Sequence, residues 1–283
     1  MDTLKKRLQQ IKKKRPGYEA MLDFYLKIKE EQKKIRPSLM LQPIILRKEW
    51  KDLLTKEGFP LLEKKDFPLD IEASTSLFKS LCQIGKEANP YMGVQIKKME
   101  EALSQKKIDL STLLKEGWSE QKVEEAGHVL GVEKKILLFF IHASLKPSIE
   151  TGIEKLSREI NTETWMKGSC PVCGSLPCLS LLKEEVGKRF LLCSYCGYQW
   201  RIDRMSCPFC GNKDHELLHY FSTEGEEAYR IHLCDQCHRY IKTIDQRTMG
   251  EIDPSLEDLA TLHLDLAASQ KGYKRPVPNP WVP

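Results

Sequence analysis

Long apolar runs are missing from this 283-residue chain: the longest uninterrupted one is Ile136 to Ile141, against the roughly 18 to 20 residues needed to cross a bilayer. No membrane span is expected. The opening residues, Met1-Asp2-Thr3-Leu4-Lys5-Lys6-Arg7, hold no apolar stretch ahead of a small-residue cleavage site. No secretory signal is therefore expected, and the cytoplasm is the expected compartment. Catalytic signatures are absent too: the chain has no Gly-rich phosphate loop, no Gly-x-Ser-x-Gly elbow and no His-Glu-x-x-His helix. Nothing in the residues argues for catalysis. Cysteine is nearly absent from residues 1–165, where Cys82 stands alone and reads as a small core residue.

What is present suits a folded protein of about two domains, with 41% hydrophobic and 30% charged residues. The net charge of +5 is unevenly spread. Residues 1–36 hold twelve Lys and Arg against five Asp and Glu, whereas the chain from Met166 onward holds fourteen basic and fifteen acidic residues. The basic run Lys12 to Arg15 fits the solvated C-terminal end of a helix better than a surface for anions.

The first part of the chain reads as helical. Leu4, Leu8 and Ile11 form one apolar stripe, Met21, Leu22, Tyr25 and Ile28 the next, with Pro16 and Pro37 as punctuation. Phe67-Pro68 and Asn89-Pro90 mark loops, and Val94 to Leu103, Ser119 to Leu130 and Glu133 to Leu145 give further helical patterns. From Gly168 the texture changes to Cys, Pro, Gly and short β-prone runs. Leu179 to Lys183 and Lys188 to Leu192 predict one hairpin, and Leu217 to Phe221 with Tyr229 to Leu233 a second. The two are copies of one module: Ser169-Cys-Pro-Val-Cys-Gly matches Ser206-Cys-Pro-Phe-Cys-Gly, and Arg189-Phe-Leu-Leu-Cys answers Arg230-Ile-His-Leu-Cys. A single last helix is predicted from the N-cap Asp253 and Pro254 to about Gln270, burying Leu256, Leu259, Ala260, Leu266 and Ala267. The proline-rich tail, Pro276 to Pro283, should be extended or irregular.

Nine of the ten cysteines crowd into residues 170–237. Eight form Cys-x-x-Cys pairs, in which a tight turn presents two sulfurs to one ion and a following glycine lets backbone amides turn toward them. One pair is half a tetrahedral site. Cys170 and Cys173 are therefore matched with Cys193 and Cys196 across nineteen intervening residues, and Cys207 and Cys210 with Cys234 and Cys237 across twenty-three. A redox disulfide would explain one such pair but not four in register. Modules of this size bury too little apolar surface to fold unaided, so two bound ions are expected as part of the fold. Zinc and a single iron both accept four thiolates, and spacing does not choose between them. Closed quartets leave no position for Lewis-acid hydrolysis. Cys178 lies outside both quartets and reads as an apolar filler; His232 and His238 flank the last knuckle and are the alternative ligands. Trp165, Tyr195, Tyr198, Trp200, Phe209 and Tyr240 read first as core packing, second as stacking platforms.

Taken together, Cys170-Pro-Val-Cys-Gly-Ser, Arg189-Phe-Leu-Leu-Cys-Ser-Tyr-Cys-Gly-Tyr-Gln-Trp, Arg204-Met-Ser-Cys-Pro-Phe-Cys-Gly-Asn, Asp258-Leu-Ala-Thr-Leu-His-Leu-Asp-Leu, Gly272-Tyr-Lys-Arg and Asn279-Pro280 lie well outside what metal binding requires. With these stretches the chain resembles the formate dehydrogenase accessory protein family, FdhE. The resemblance implies a cytoplasmic, non-catalytic maturation factor that engages the catalytic subunit of a molybdenum or tungsten formate dehydrogenase. It also implies rubredoxin-type metal sites whose ligands are the eight paired cysteines. The chain departs from the family pattern at His238, where a glycine often follows the last knuckle, and in Cys178.

The expected fold is thus α+β: a helical domain over residues 1–165, two tandem rubredoxin-like or zinc-ribbon modules at 166–206 and 207–250, and a C-terminal helix and tail at 251–283. Two rival functions stand beside maturation. Nucleic-acid binding is opposed by the acidic balance of the ribbon half, since phosphate needs clustered Lys and Arg. A rubredoxin-like electron carrier needs iron and a partner that exchanges electrons.

Overall fold

A computed structural model describes all residues except 47, 48, 50–56, 159, 282 and 283. The chain folds as two compact units, one of Leu8–Ile45 and Lys64–Leu156, the other of Met1–Arg7, Leu46–Glu63 and Ser157–Val282.

The first unit is helical, and four of its helices start at a side chain that accepts from their free amides. Helix α1 (Asp2–Lys14) ends on Lys12, Lys13 and Lys14, cations that favour the negative end of its dipole. Lys12 also pairs with Asp23 at 2.6 Å, so the basic run is in part internally committed. Pro16 ends that helix and α2 (Glu19–Ile35) follows, burying Leu22, Phe24, Tyr25 and Ile28. Asp70 caps α3 (Ile71–Ala88) through Ala73 N–H, and Asn89 caps α4 (Pro90–Ser104) through the amides of Tyr91 and Met92. The expected loop at Asn89-Pro90 is therefore a one-residue junction, with proline at the first helical position. After α5 (Leu110–Lys115), Ser119 caps α6 (Glu120–Leu130).

Helix α7 (Lys134–Leu156) runs well past Leu145, straight through Pro147. Proline there cannot donate to the carbonyl of Ala143. Gln32 Nε2 donates to that oxygen instead, at 2.7 Å, so the break in the ladder leaves no orphan acceptor. By length and hydropathy alone α7 would pass for a membrane span. It is the core helix of its unit, burying Leu137, Phe140, Ile141, Leu145, Ile149 and Ile153.

The second unit is built on one six-stranded sheet. The expected hairpins form, as β1 (Pro177–Lys183) with β2 (Lys188–Cys193) and β4 (Leu218–Phe221) with β5 (Tyr229–Cys234). Each module adds a third strand after its second knuckle, β3 (Gln199–Ile202) and β6 (Arg239–Asp245). The strand order is β3-β2-β1-β6-β5-β4. Both halves are antiparallel within themselves, and they fuse through one parallel pairing that sets Ser180, Leu181 and Leu182 of β1 against Thr243, Ile244 and Asp245 of β6. Leu179 and Leu181 of the first module thereby share a core with Tyr229, Ile231, Leu233, Tyr240 and Ile244 of the second.

The last helix is not single. It breaks at Thr261 into α9 (Pro254–Ala260) and α10 (Leu262–Gln270), after a four-residue helix α8 (Gln246–Met249). The Thr261 hydroxyl donates to the Glu257 carbonyl at 2.8 Å, and Lys242 Nζ bonds the Asp258 carbonyl at 3.0 Å. Side chains consume acceptors that continuing helix would need. The break resets the phase, so Leu264 and Ala268 are buried while Leu266, expected inside, is 61% exposed. Leu256, Leu259 and Ala260 are buried as expected, and Asp253 caps α9 through the amides of Ser255 and Leu256.

A buried ionic cluster locks these helices and the tail to the sheet. Lys242 on β6 is fully buried and meets Asp258 Oδ1 at 2.8 Å and Asp265 Oδ2 at 2.7 Å. Arg275 bonds Asp258 Oδ2 at 2.8 Å, Asp265 Oδ1 at 3.2 Å and the Cys178 carbonyl at 2.9 Å, and Asn279 Nδ2 donates to Asp258 at 3.0 Å. The tail is thus irregular but held. At the other end of the chain, Arg7 grips Glu257 through two nitrogens, at 2.7 and 2.8 Å, which is how the first residues come to belong to this unit.

Burial by itself would raise the Asp258 carboxyl, but Lys242 and Arg275 outweigh it and hold the group below its ordinary value. Its contribution to stability is present above the unfolded carboxyl pKa of about 3.9 and is lost as pH falls through the folded one. At pH 7, Asp258→Asn leaves two buried cations short of one charge. It should lower stability by about 3–5 kcal/mol in urea denaturation of metal-replete protein, whereas a loss under about 1 kcal/mol would show the cluster to be dispensable.

Candidate metal centres

Each quartet is assembled the same way, with one knuckle ahead of the first strand of a module and one at the end of its second. Cys193 and Cys234 are the last residues of β2 and β5. In all four knuckles the residue after the second cysteine donates its amide to the carbonyl of the first, from Gly174, Gly197, Gly211 and His238 at 2.9, 3.3, 3.0 and 2.9 Å. This turn needs a left-handed residue. The three glycines have φ of 73 to 75°, and His238 takes φ 51° in the same place. The substitution is accommodated because the chain returns here: Lys274 N–H donates to the His238 carbonyl at 2.9 Å and the Tyr273 ring lies 6.0 Å from the imidazole.

The structure brings together the eight paired cysteines as two groups, Cys170, Cys173, Cys193, Cys196 and Cys207, Cys210, Cys234, Cys237, each with all sulfurs within 4.8 Å of one another. Closest approaches are 3.4 Å for Cys173 to Cys193, 3.7 Å for Cys170 to Cys196, 3.6 Å for Cys210 to Cys234 and 3.7 Å for Cys207 to Cys237. A disulfide holds its sulfurs about 2.05 Å apart. A tetrahedron of thiolates around zinc, with bonds of about 2.3 Å, has edges of about 3.8 Å. The donor set fits the ion and not the disulfide. His232 and His238 belong to neither group, and neither do Cys178 and Cys82. His232 instead stacks on Tyr220, and burial, with Arg189, Arg230 and Arg204 acting in the same sense, holds its imidazole well below the ordinary histidine range.

Electrostatics explains what an ion would contribute. In the first quartet hydrogen bonds from Cys170, Cys193 and Cys196 favour a thiolate on Cys173, while burial drives Cys193 and Cys196 strongly toward the thiol. In the second, burial raises Cys207 and pushes Cys237 up to about 11. Burial opposes ionisation of Cys234 as well, yet hydrogen bonds from the Cys237 amide, Cys210 and Asn212 leave it lowered. Four thiolates this close repel unless a cation sits among them, so ion uptake must release protons and tighten as pH rises.

The surroundings of the two quartets differ. All four sulfurs of the first are buried. Trp165 Nε1 donates to the Ser169 carbonyl at 2.8 Å and Trp200 Nε1 to that of Lys167 at 2.9 Å, clamping the approach to Cys170. Trp165, Trp200 and Tyr240 are core residues, while Tyr195, Tyr198 and Phe209 are half-buried. Over the knuckle runs a strap: Leu61 and Leu62 donate their amides to the carbonyls of Pro171 and Val172 at 3.0 and 2.8 Å. No spacing rule announces that strap, which lies more than a hundred residues upstream. In the second quartet Cys210 is exposed and Cys237 half-exposed.

The model of the FdhE central domain matches residues 169–204 and that of the FdhE C-terminal domain residues 205–282. A protein FdhE homolog from Aquifex aeolicus (strain VF5) is 30% identical over 271 residues, covering 94% of this chain and 90% of that one. The chain belongs to the FdhE family. Protein FdhE of Escherichia coli (strain K12) is 36% identical over 116 residues, 40% of this chain and 37% of its own length. The fold is shared along the whole chain with the crystal structure of the FdhE protein from Pseudomonas aeruginosa, at a TM-score of 0.69 and 23% identity over 98% of this chain and 93% of that one. The two FdhE domain matches divide between Arg204 and Met205, so each contains one complete quartet.

Two outcomes are expected. Excess chelator should strip one equivalent of metal per chain well before the other, read by metal analysis over time, because ligand exchange needs access to a sulfur. Simultaneous loss would contradict the difference in exposure. His238→Gly should raise the stability of metal-replete protein by about 0.5 kcal/mol, since relief of the left-handed strain exceeds the added freedom of the unfolded chain. His238→Val should lower it by about 1–2 kcal/mol in the same thermal melt.

Proposed function

We propose that this chain is a cytoplasmic accessory factor in the maturation of a molybdenum or tungsten formate dehydrogenase, binding the catalytic subunit and turning over no substrate of its own. The eight paired cysteines are its metal ligands, one zinc or iron ion to each quartet. Membership of the FdhE family supports the reading, joined to one observation: two sulfur quartets of tetrahedral dimensions stand on a single fused sheet. Such quartets leave no open coordination position, so a metal here stabilises the ribbons or, as iron, changes valence. The domain division that goes with this reading is helical to residue 165, ribbons at 166–206 and 207–250, and a closing helix and tail.

One observation favours a second reading, electron exchange at the second quartet, because Cys210 reaches the surface. Nucleic-acid binding has no comparable support, given fourteen basic and fifteen acidic residues from Met166 onward.

The test is affinity capture with the tagged full chain from a lysate of formate-grown cells, with the retained catalytic subunit quantified by mass spectrometry. Enrichment over an unrelated ribbon protein is expected, together with two metal equivalents per purified chain. Retention no better than the control defeats the maturation reading, and a chain fully folded without metal defeats the ligand assignment.

A further inference from the structure

Strand β2 carries a cation to which the sheet offers no ordinary partner. Arg189 is 2% exposed. Its Nε donates to Ser180 Oγ at 2.9 Å, and its Nη1 to the carbonyls of Ser206 at 2.8 Å and Arg204 at 3.3 Å. All three acceptors are neutral, and no carboxylate pairs with it among the described residues. Burial pulls its guanidinium down to about 10, and the one ionisable group that opposes this is Cys207. A buried charge of this kind persists only when something nearby compensates it.

The internal duplication sharpens the point. Arg189 stands four residues before Cys193, and Arg230 four residues before Cys234. Arg230 is partly exposed and has a carboxylate, Asp245, at 3.4 Å. The copy in the first ribbon instead reaches the junction with the second: Ser206, which accepts its shortest bond, is the residue whose carbonyl is joined to the Cys207 nitrogen. Gly168 also brings the first ribbon against the Cys207–Cys210 knuckle so tightly that a Cβ there would sit 1.6 Å from the Pro208 carbonyl oxygen. Four thiolates around a divalent ion carry a net charge of −2. That is the anion this guanidinium lacks.

We infer that Arg189, a residue of the first ribbon, is the buried counter-ion and positioning residue of the second four-cysteine site, setting its metal affinity and, with iron bound, its reduction potential. The inference rests on the reading of that quartet as a metal site. It makes the ribbons interdependent: an ion in the second site stabilises the strand that carries Arg189, and by reciprocity the intact first ribbon tightens the second site.

The experiment titrates the full-length chain with zinc(II) against a chromophoric chelator. The native chain should take two equivalents; fewer would sink the metal reading before Arg189 is touched. Arg189→Gln should weaken one equivalent by roughly 10- to 100-fold, the usual effect of removing a group that supports a ligand, and leave the other unchanged. Arg189→Lys should recover most of the loss. In the Cys210→Ser background, where only the first quartet is complete, Arg189→Gln should leave the remaining equivalent alone. In iron-loaded protein Arg189→Gln should lower the iron(III)/iron(II) midpoint of one site, because loss of a nearby cation disfavours added negative charge. A packing role would shift stability and leave that midpoint in place. Should the Gln variant not fold, Ser180→Ala, which keeps the charge and loosens its anchor, should move the same midpoint in the same direction by less. Equal weakening of both equivalents, matching behaviour of the Gln and Lys variants, or an unmoved midpoint overturns the inference.

Discussion

Half a tetrahedral site is worth nothing to a fold, and the cysteine-rich unit is organised around that constraint. A knuckle offers two sulfurs; the other two must arrive along a strand, so each module is a knuckle, a hairpin and a second knuckle. With the nearest sulfurs 3.4 to 3.7 Å apart, they are too far for covalent pairing and too close for uncompensated ionisation. A cation resolves that conflict, and apparent binding energies of about 10–16 kcal/mol for structural zinc dwarf what so small a core supplies.

Duplication then creates a problem of its own, since two small ribbons each expose an unpaired strand edge. Parallel pairing of β1 with β6 removes one edge from each and lets one core serve both. The same joint needs a lid, which the broken C-terminal helix provides, and an anchor for the lid, which is the cluster of Lys242, Asp258, Asp265 and Arg275. Cations and carboxylates here are matched two against two. Arg189, outside that cluster, pairs with no carboxylate among the described residues and bonds the Ser206 carbonyl just before Cys207. Together these features make a sheet whose two cysteine quartets share walls instead of standing as separate beads.

The centres are alike in ligands and unlike in setting. One is roofed by Leu61 and Leu62 and clamped by two indoles; the other shows Cys210 to solvent and closes on His238 instead of glycine. A buried quartet suits a permanent structural role, because exchange and electron transfer both need approach to a sulfur. An accessible quartet is the one able to respond to its surroundings.

The sequence by itself determined whatever depends on near neighbours. Cysteine spacing grouped all eight sulfurs, short β-prone runs located β1, β2, β4 and β5, and Pro16, Ser119 and Asp253 marked helix boundaries, because turns, caps and strand propensity are decided within a few residues. It failed where distant groups intervene. The helical pattern read to Leu145 runs on through Pro147 as α7, where Gln32, far away in the chain, satisfies the stranded carbonyl. Thr261 and Lys242 draw off carbonyls and split the last helix, turning Leu266 outward. Fusion of the ribbons, the strap over the first quartet and the posting of Arg189 beside the second were likewise decided only by tertiary structure. Which strand edges meet, and which charge is left without a partner, depends on packing between segments whose sequences carry no record of one another.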